Sequence, residues 1–148
     1  MTGKLYLIPT PISQENMAWA LPAAVQQCIE ELSYFIVEHP KTARQFLKQL
    51  NCKLPLQDLH MQTLNEHTPA KDVRALLDPL LAGHDTGLLS EAGCPAVADP
   101  GAELVRLAHK NNIVVTPLVG PSAILLALMA SGLNGQRFAF HGYLPVES

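Results

Sequence analysis

Leu88 to Gly101 reads LLSEAGCPAVADPG, and this stretch decides the fold. Leu88 and Leu89 end an apolar run that suits a buried parallel strand. Ser90, Glu91, Ala92 and Gly93 are small or polar enough to let backbone approach a ligand. Asp99 is a good helix cap and Pro100 a good first helical residue. The stretch therefore predicts strand, long turn, helix. In an open α/β sheet ligands bind outside the carboxyl ends of the strands, so this turn is the first place to look for a small-molecule site. A plain capped helix behind an ordinary loop is the competing reading.

Upstream, Leu5 to Ile8 reads as a first strand that leaves its sheet into the rigid turn PTPIS. Pro22 opens a helix with Val25, Cys28, Ile29 and Leu32 on one face. Tyr34 to Val37 is a second strand, and Thr42 is placed to cap a helix whose apolar stripe is Ala43, Phe46, Leu47 and Leu50. A third strand falls near Leu59 to Thr63. Thr68 and Pro69 open a helix carrying Val73, Leu76, Leu77 and Leu80, which Pro79 should kink or shorten and Gly83 should end. Thr86 to Leu89 is the fourth strand.

Downstream, Leu104, Val105, Leu107 and Ala108 form a helical stripe that Asn111 and Asn112 break. Ile113 to Thr116 is a β-branched strand. LVGPSAILLALMASG then gives a turn, a helix from Pro121 or Ser122, and Gly132 as its stop. Arg137 to Phe140 has the composition of a last strand. Strands alternating with helices imply an α/β fold: three layers, a mainly parallel five-stranded sheet, helices on both faces.

Composition narrows the function classes. The chain has 148 residues, 48% of them hydrophobic and 16% charged, enough apolar material for one cored domain. A net charge of −3 gives no bulk basic footprint, so a nucleic-acid surface would have to be local. Three cysteines at irregular spacings fit neither a disulfide framework nor a C-x-x-C zinc site and suggest a reducing, cytoplasmic setting. Leu118 to Ala130 is too short to span a bilayer, so no membrane partner is expected. His39, His60, His67 and Glu66 lack metal-ligand spacing, and no metal is expected. Ser90 is not in a G-x-S-x-G elbow, and the turn after the first strand lacks the glycines of a dinucleotide site, although Glu38 stands where a ribose-binding acid would. Cys94 has no evident cationic neighbour and reads as a small side chain rather than a nucleophile.

The turns PTPIS, SEAGCPAVADPG and PLVGPSA should meet at one edge of the sheet. With FIVE at Phe35 to Glu38 and FAFHGYLP near the end, they resemble, in order and spacing, the tetrapyrrole methylase superfamily of S-adenosylmethionine-dependent methyltransferases, closest to the branch that methylates ribose 2′-hydroxyls of small-subunit ribosomal RNA. The resemblance implies a cofactor cleft between two α/β domains. Residues 1–140 would be the N-terminal, cofactor-binding domain, inactive alone, and 141–148 a hinge into a C-terminal domain. It implies S-adenosyl-L-methionine contacts at Pro9, Ile12, Glu91, Gly93, Cys94, Ser122 and Ala123. Ribosomal RNA or the small ribosomal subunit would be the partner and a homodimer the assembly. The alternatives are a tetrapyrrole acceptor or a non-catalytic binding module of the same fold. The chain departs from the branch at Glu91 (usually aspartate), at Cys94 (usually threonine), and at His39, Pro40 and Lys41, where an acidic-Thr-Arg run is usual. A ribose hydroxyl must lose its proton during methyl transfer. Glu38 and His67 are candidates for that base by chemical type alone, so the catalytic residue stays open.

Overall fold

The computed structural model describes residues 1–13 and 17–146. Five parallel strands, β1 (Leu5–Ile8), β2 (Tyr34–Val37), β3 (His60–Thr63), β4 (Thr86–Leu89) and β5 (Val115–Pro117), form one sheet in the order β3-β2-β4-β1-β5. The strands predicted at 5–8, 34–37 and 86–89 form with those bounds.

Alternation along the strands divides the core into two layers. Ile8, Phe35, Val37 and Leu89 face α1 (Met17–Ala20), α2 (Ala23–Glu30) and α3 (Pro40–Leu47), where Leu21, Ile29, Phe46 and Leu47 are buried. Leu5, Ile36 and Leu88 face α4 (Ala70–Ala75), α5 (Asp78–Leu81) and α6 (Gly101–Lys110), where Leu77, Leu80, Leu104 and Ala108 are buried. Each fully buried Leu, Ile or Phe contributes about 1.5–3 kcal/mol. The connections β1 to β3 run one way along the sheet with helices on the first face. Those from β3 to β5 run back with helices on the second, as right-handed crossovers require. The connections leaving β2 and β4 run in opposite directions, to β3 and to β5 on opposite faces, which opens a crevice at the carboxyl ends of these two parallel strands.

Local chemistry departs from the expected boundaries in four places. The third helix starts at Pro40, with His39 preceding it and no side-chain cap, so Thr42 lies inside the first turn. A proline's fixed φ and missing N–H suit the first helical position and decide the start. Pro79 divides the predicted single helix into α4 and α5, where it occupies the first turn of the second piece. The fifth strand lies at Val115–Pro117 rather than 113–116, with Ile113 buried beneath it. Arg137 to Phe140 forms no strand and lies exposed. The β5 edge it would extend is three residues long and ends in Pro117, which has no N–H to donate.

Helix α7 (Ala123–Ser131) starts at Ser122, whose hydroxyl accepts from the Leu125 amide at 3.4 Å, and ends at Gly132 in the left-handed region. None of its residues is buried, and Met129 is 77% exposed. No helix among the described residues is long and apolar enough to cross a membrane.

Candidate functional site at the carboxyl edge of the sheet

Four strand ends are tied together above the sheet. Thr10 and Gly93 exchange backbone hydrogen bonds of 3.0 and 2.9 Å, an antiparallel bridge that joins the β1 turn to the β4 turn. Gly93 has φ +74, a region open to glycine at little cost. The Cys94 thiol donates to the Pro121 carbonyl at 3.3 Å and links the β4 turn to the β5 turn. The Glu91 amide donates to Glu38 Oε2 at 3.2 Å and links it to β2. Gly120 lies so close to Pro9 that any β-carbon there would overlap the proline ring. The three turns read from the sequence do meet at one edge, and the end of β2 joins them.

The distal half of the long turn is strained and held by one carboxylate. Ala96 and Ala98 have φ of +65 and +56, the left-handed region that costs non-glycine residues about 1–2 kcal/mol each. Asp99 Oδ1 accepts from the Ala96 amide at 2.7 Å and the Gly101 amide at 2.8 Å. One oxygen therefore closes the turn and caps α6, which begins at Gly101. Burial pushes the Asp99 carboxyl above the usual aspartate value, against the pull of the two amides. Burial likewise raises the Cys94 thiol, which favours the neutral S–H that donates to Pro121.

Three hollows adjoin this knot: one of about 700 Å³ lies toward Trp19, Leu21, Gly120 and Leu126, and the two others hold the residues of the turns. The smaller of these two, about 250 Å³, is lined by Ile12, Gly93, Cys94, Ser122, Ala123 and Tyr143 among others. It gathers five of the seven residues singled out in the sequence. The larger of the two, about 410 Å³, occupies the crevice at the ends of β1, β2 and β4 and is lined by residues that include Glu38, His39, Gln45, Gln49 and Glu91. Glu91 thus faces the larger hollow, and Pro9 is buried beneath the knot against Gly120. Ile12 and Ala92 line both hollows and form the partition between them.

Of the dispersed histidines, only His39 lines this edge. His60 stacks on Tyr34 at 4.4 Å between ring centroids, where β2 and β3 begin. His67 pairs with Glu66 at 3.3 Å, both well exposed. Among the described residues no three His, Cys, Asp or Glu side chains come together as metal ligands. Thr10, Gln45 and Gln49 were not singled out in the sequence. A threonine in a bridge between positions 83 residues apart leaves no local signal, whereas the i, i+4 spacing of the glutamines beside the Ala43, Phe46, Leu47 stripe does place them at its margin.

No family model matches the chain. Among curated proteins it is similar to the protein named ribosomal RNA small subunit methyltransferase I of Xylella fastidiosa, with 37% identity over 145 residues, 98% of this chain and 50% of that protein. The proteins of the same name from Vibrio cholerae (33% identity, 97% of this chain and 47% of that protein) and Escherichia coli O157:H7 (34%, 99% and 48%) match in the same way. The chain spans about half the length of the curated relatives it matches. Along nearly all of its own length the chain is similar to the proteins named ribosomal RNA small subunit methyltransferase I.

Proposed function

We propose that the chain is the cofactor-binding half of an S-adenosylmethionine-dependent methyltransferase that acts on ribose 2′-hydroxyls of small-subunit ribosomal RNA. Residues 1–140 form the α/β domain in this reading, and 141–148 lead into a second domain; Glu147 and Ser148 lie outside the described residues. One observation carries the reading: two hollows at the strand ends share a thin partition, Ile12 and Ala92. A methyl donor in one hollow and its acceptor in the other would lie side by side at the strand ends, meeting past Ile12 and Ala92.

The smaller hollow fits the cofactor. Gly93 keeps its wall free of a side chain, since a β-carbon there would project toward Pro121 and Ile12. The amides of Ala123 and Ile124, ahead of the Leu125 amide that Ser122 caps, open α7 and suit a carboxylate. Pro9 sets the spacing of the turns from below, Ser122 fixes the helix start, and Cys94 holds the β5 turn in place through its thiol. Glu91 lines the larger hollow beside Ala92, and it would supply an acidic hydrogen bond to the cofactor where the cofactor's polar end extends past Ile12 and Ala92. The sulfonium carries an activated methyl group, and the chain's own contribution is positioning. Calorimetric titration of the full-length, two-domain protein with S-adenosylhomocysteine should show binding, weakened at least severalfold by Glu91→Ala. Affinity unchanged by that substitution would remove the assignment of this turn.

A homodimer is part of the same proposal. Leu125, Leu126 and Met129 on α7 are 52%, 51% and 77% exposed, an apolar face unusual for a soluble monomer. A second copy seated on α7 would cover it. Sedimentation across a dilution series should show concentration-dependent association, and a monomer that stays soluble at every concentration would contradict it.

A further inference from the structure

We propose that α3 is an RNA-binding rail: its exposed basic row holds phosphates while the larger hollow beside it receives the sugar and base of one nucleotide. The proposal rests on the methyltransferase reading for the fate of that nucleotide, but its own observations are separate. Lys41 and Arg44 on α3 and Lys48 at its C-cap recur at i, i+3 and i+7, all exposed, and pair with no carboxylate among the described residues. They put three of the chain's ten Lys and Arg residues within eight positions of an acidic protein. Each immediately precedes a residue that lines the hollow, Thr42, Gln45 or Gln49. At about 100° per residue the basic row and the lining row therefore run side by side along the helix.

The division of charge decides what each row takes. The hollow is lined by Glu38 and Glu91 and by no Lys or Arg, so it repels phosphate and accepts a neutral group. Val37, Phe46 and Leu89 give it an apolar floor, while the amides of Gln45 and Gln49 supply donors and acceptors of the kind that read a base edge. A volume of about 410 Å³ is sufficient for one nucleoside. Phosphates flanking that nucleoside would fall outside the hollow, where the cations stand. A single strand with one nucleotide turned inward satisfies both rows; an acidic polypeptide satisfies only the basic one.

Fluorescence anisotropy of a short labelled single-stranded RNA, read with the chain at several salt concentrations, tests this. The triple variant K41Q, R44Q, K48Q should bind about tenfold more weakly at low salt. Its slope of log affinity against log salt should be smaller by about 2, because each phosphate neutralised on a single strand adds about 0.7 to that slope. Wild-type chain should prefer RNA to an abasic backbone of equal charge, and Gln45→Ala with Gln49→Ala should abolish that preference. Absence of RNA binding, a triple variant with unchanged affinity and slope, no preference for bases, or equal competition by polyglutamate would each overturn the proposal. S-adenosylhomocysteine binding is measured in parallel. Its absence from the protein carrying both domains, with the RNA results intact, sinks the methyltransferase reading and leaves the rail standing; the reverse pattern sinks the rail alone.

Discussion

Gly120→Ala should destabilise the chain by about 1–3 kcal/mol, the range for forcing a methyl group into a packed site, and weaken S-adenosylhomocysteine binding more than tenfold. The added β-carbon meets Pro9 Cβ and Cγ, with Leu21 Cδ2 at 3.4 Å behind. A flexible side chain would swing aside, but a buried proline ring with fixed φ has nowhere to go. The β1 and β5 turns must separate instead. That movement pulls on the Cys94 to Pro121 bond and on the Thr10 to Gly93 bridge, which together shape the smaller hollow. Denaturant melting and calorimetry would read the two effects. A double-mutant cycle with Pro9→Gly isolates the contact, because removing both overlapping ring carbons should restore some of both losses. Wild-type stability and affinity in Gly120→Ala would show that the close approach has no energetic weight.

Asp99→Ala should cost about 3 kcal/mol, since two hydrogen bonds to a charged acceptor disappear and the Ala96 amide is left without its partner. This carboxylate is what fastens the strained stretch at Ala96 and Ala98, so the turn should relax and α6 should fray at Gly101. Asp99→Asn keeps Oδ1 as an acceptor and should cost much less. The two variants also separate charge from hydrogen bonding through pH. Burial raises the carboxyl in the fold, so the folded chain keeps a proton that the unfolded chain has released. The contribution of this group is then most favourable below the unfolded value and declines as pH rises through the folded one. Asn has no such dependence. Chemical denaturation across that interval should show the stability difference moving in favour of Asp99→Asn as pH rises; a constant difference would contradict the burial argument.

Much of this fold is legible because the strands are short, continuous and apolar. Leu5 to Ile8, Tyr34 to Val37 and Thr86 to Leu89 each end at a residue that cannot extend a buried strand, Pro9, Glu38 and Ser90, and their bounds follow. Helix starts are less legible where two signals compete, as at Pro40 and Thr42, since hydroxyl capping and proline geometry predict different starts. The site divides along the same line. Small residues in three turns mark where a ligand would sit, and Ile12, Gly93, Cys94, Ser122 and Ala123 do share one hollow. What joins the turns, Thr10 with Gly93 and Glu91 with Glu38, is long-range and leaves no mark on composition. The basic row on α3 is hidden by summation: a net charge of −3 averages away three cations whose 3-and-4 spacing places them on one helix face.

The strand order also governs the sequence in which the molecule assembles. β1 pairs only with β4 and β5, so the earliest of the five strands to be synthesised has no partner until residues 86–89 exist. The β2-α3-β3 unit pairs within itself and is the earliest piece able to form from local contacts. During synthesis, then, β1 must wait unpaired while three further strands emerge, and the insertion of β4 between β2 and β1 joins the two halves of the sheet. The Thr10 to Gly93 bridge closes after that step, so the ligand-facing edge is among the last parts of the molecule to become ordered. Pulsed hydrogen exchange should accordingly find the amides of β2 protected before those of β1.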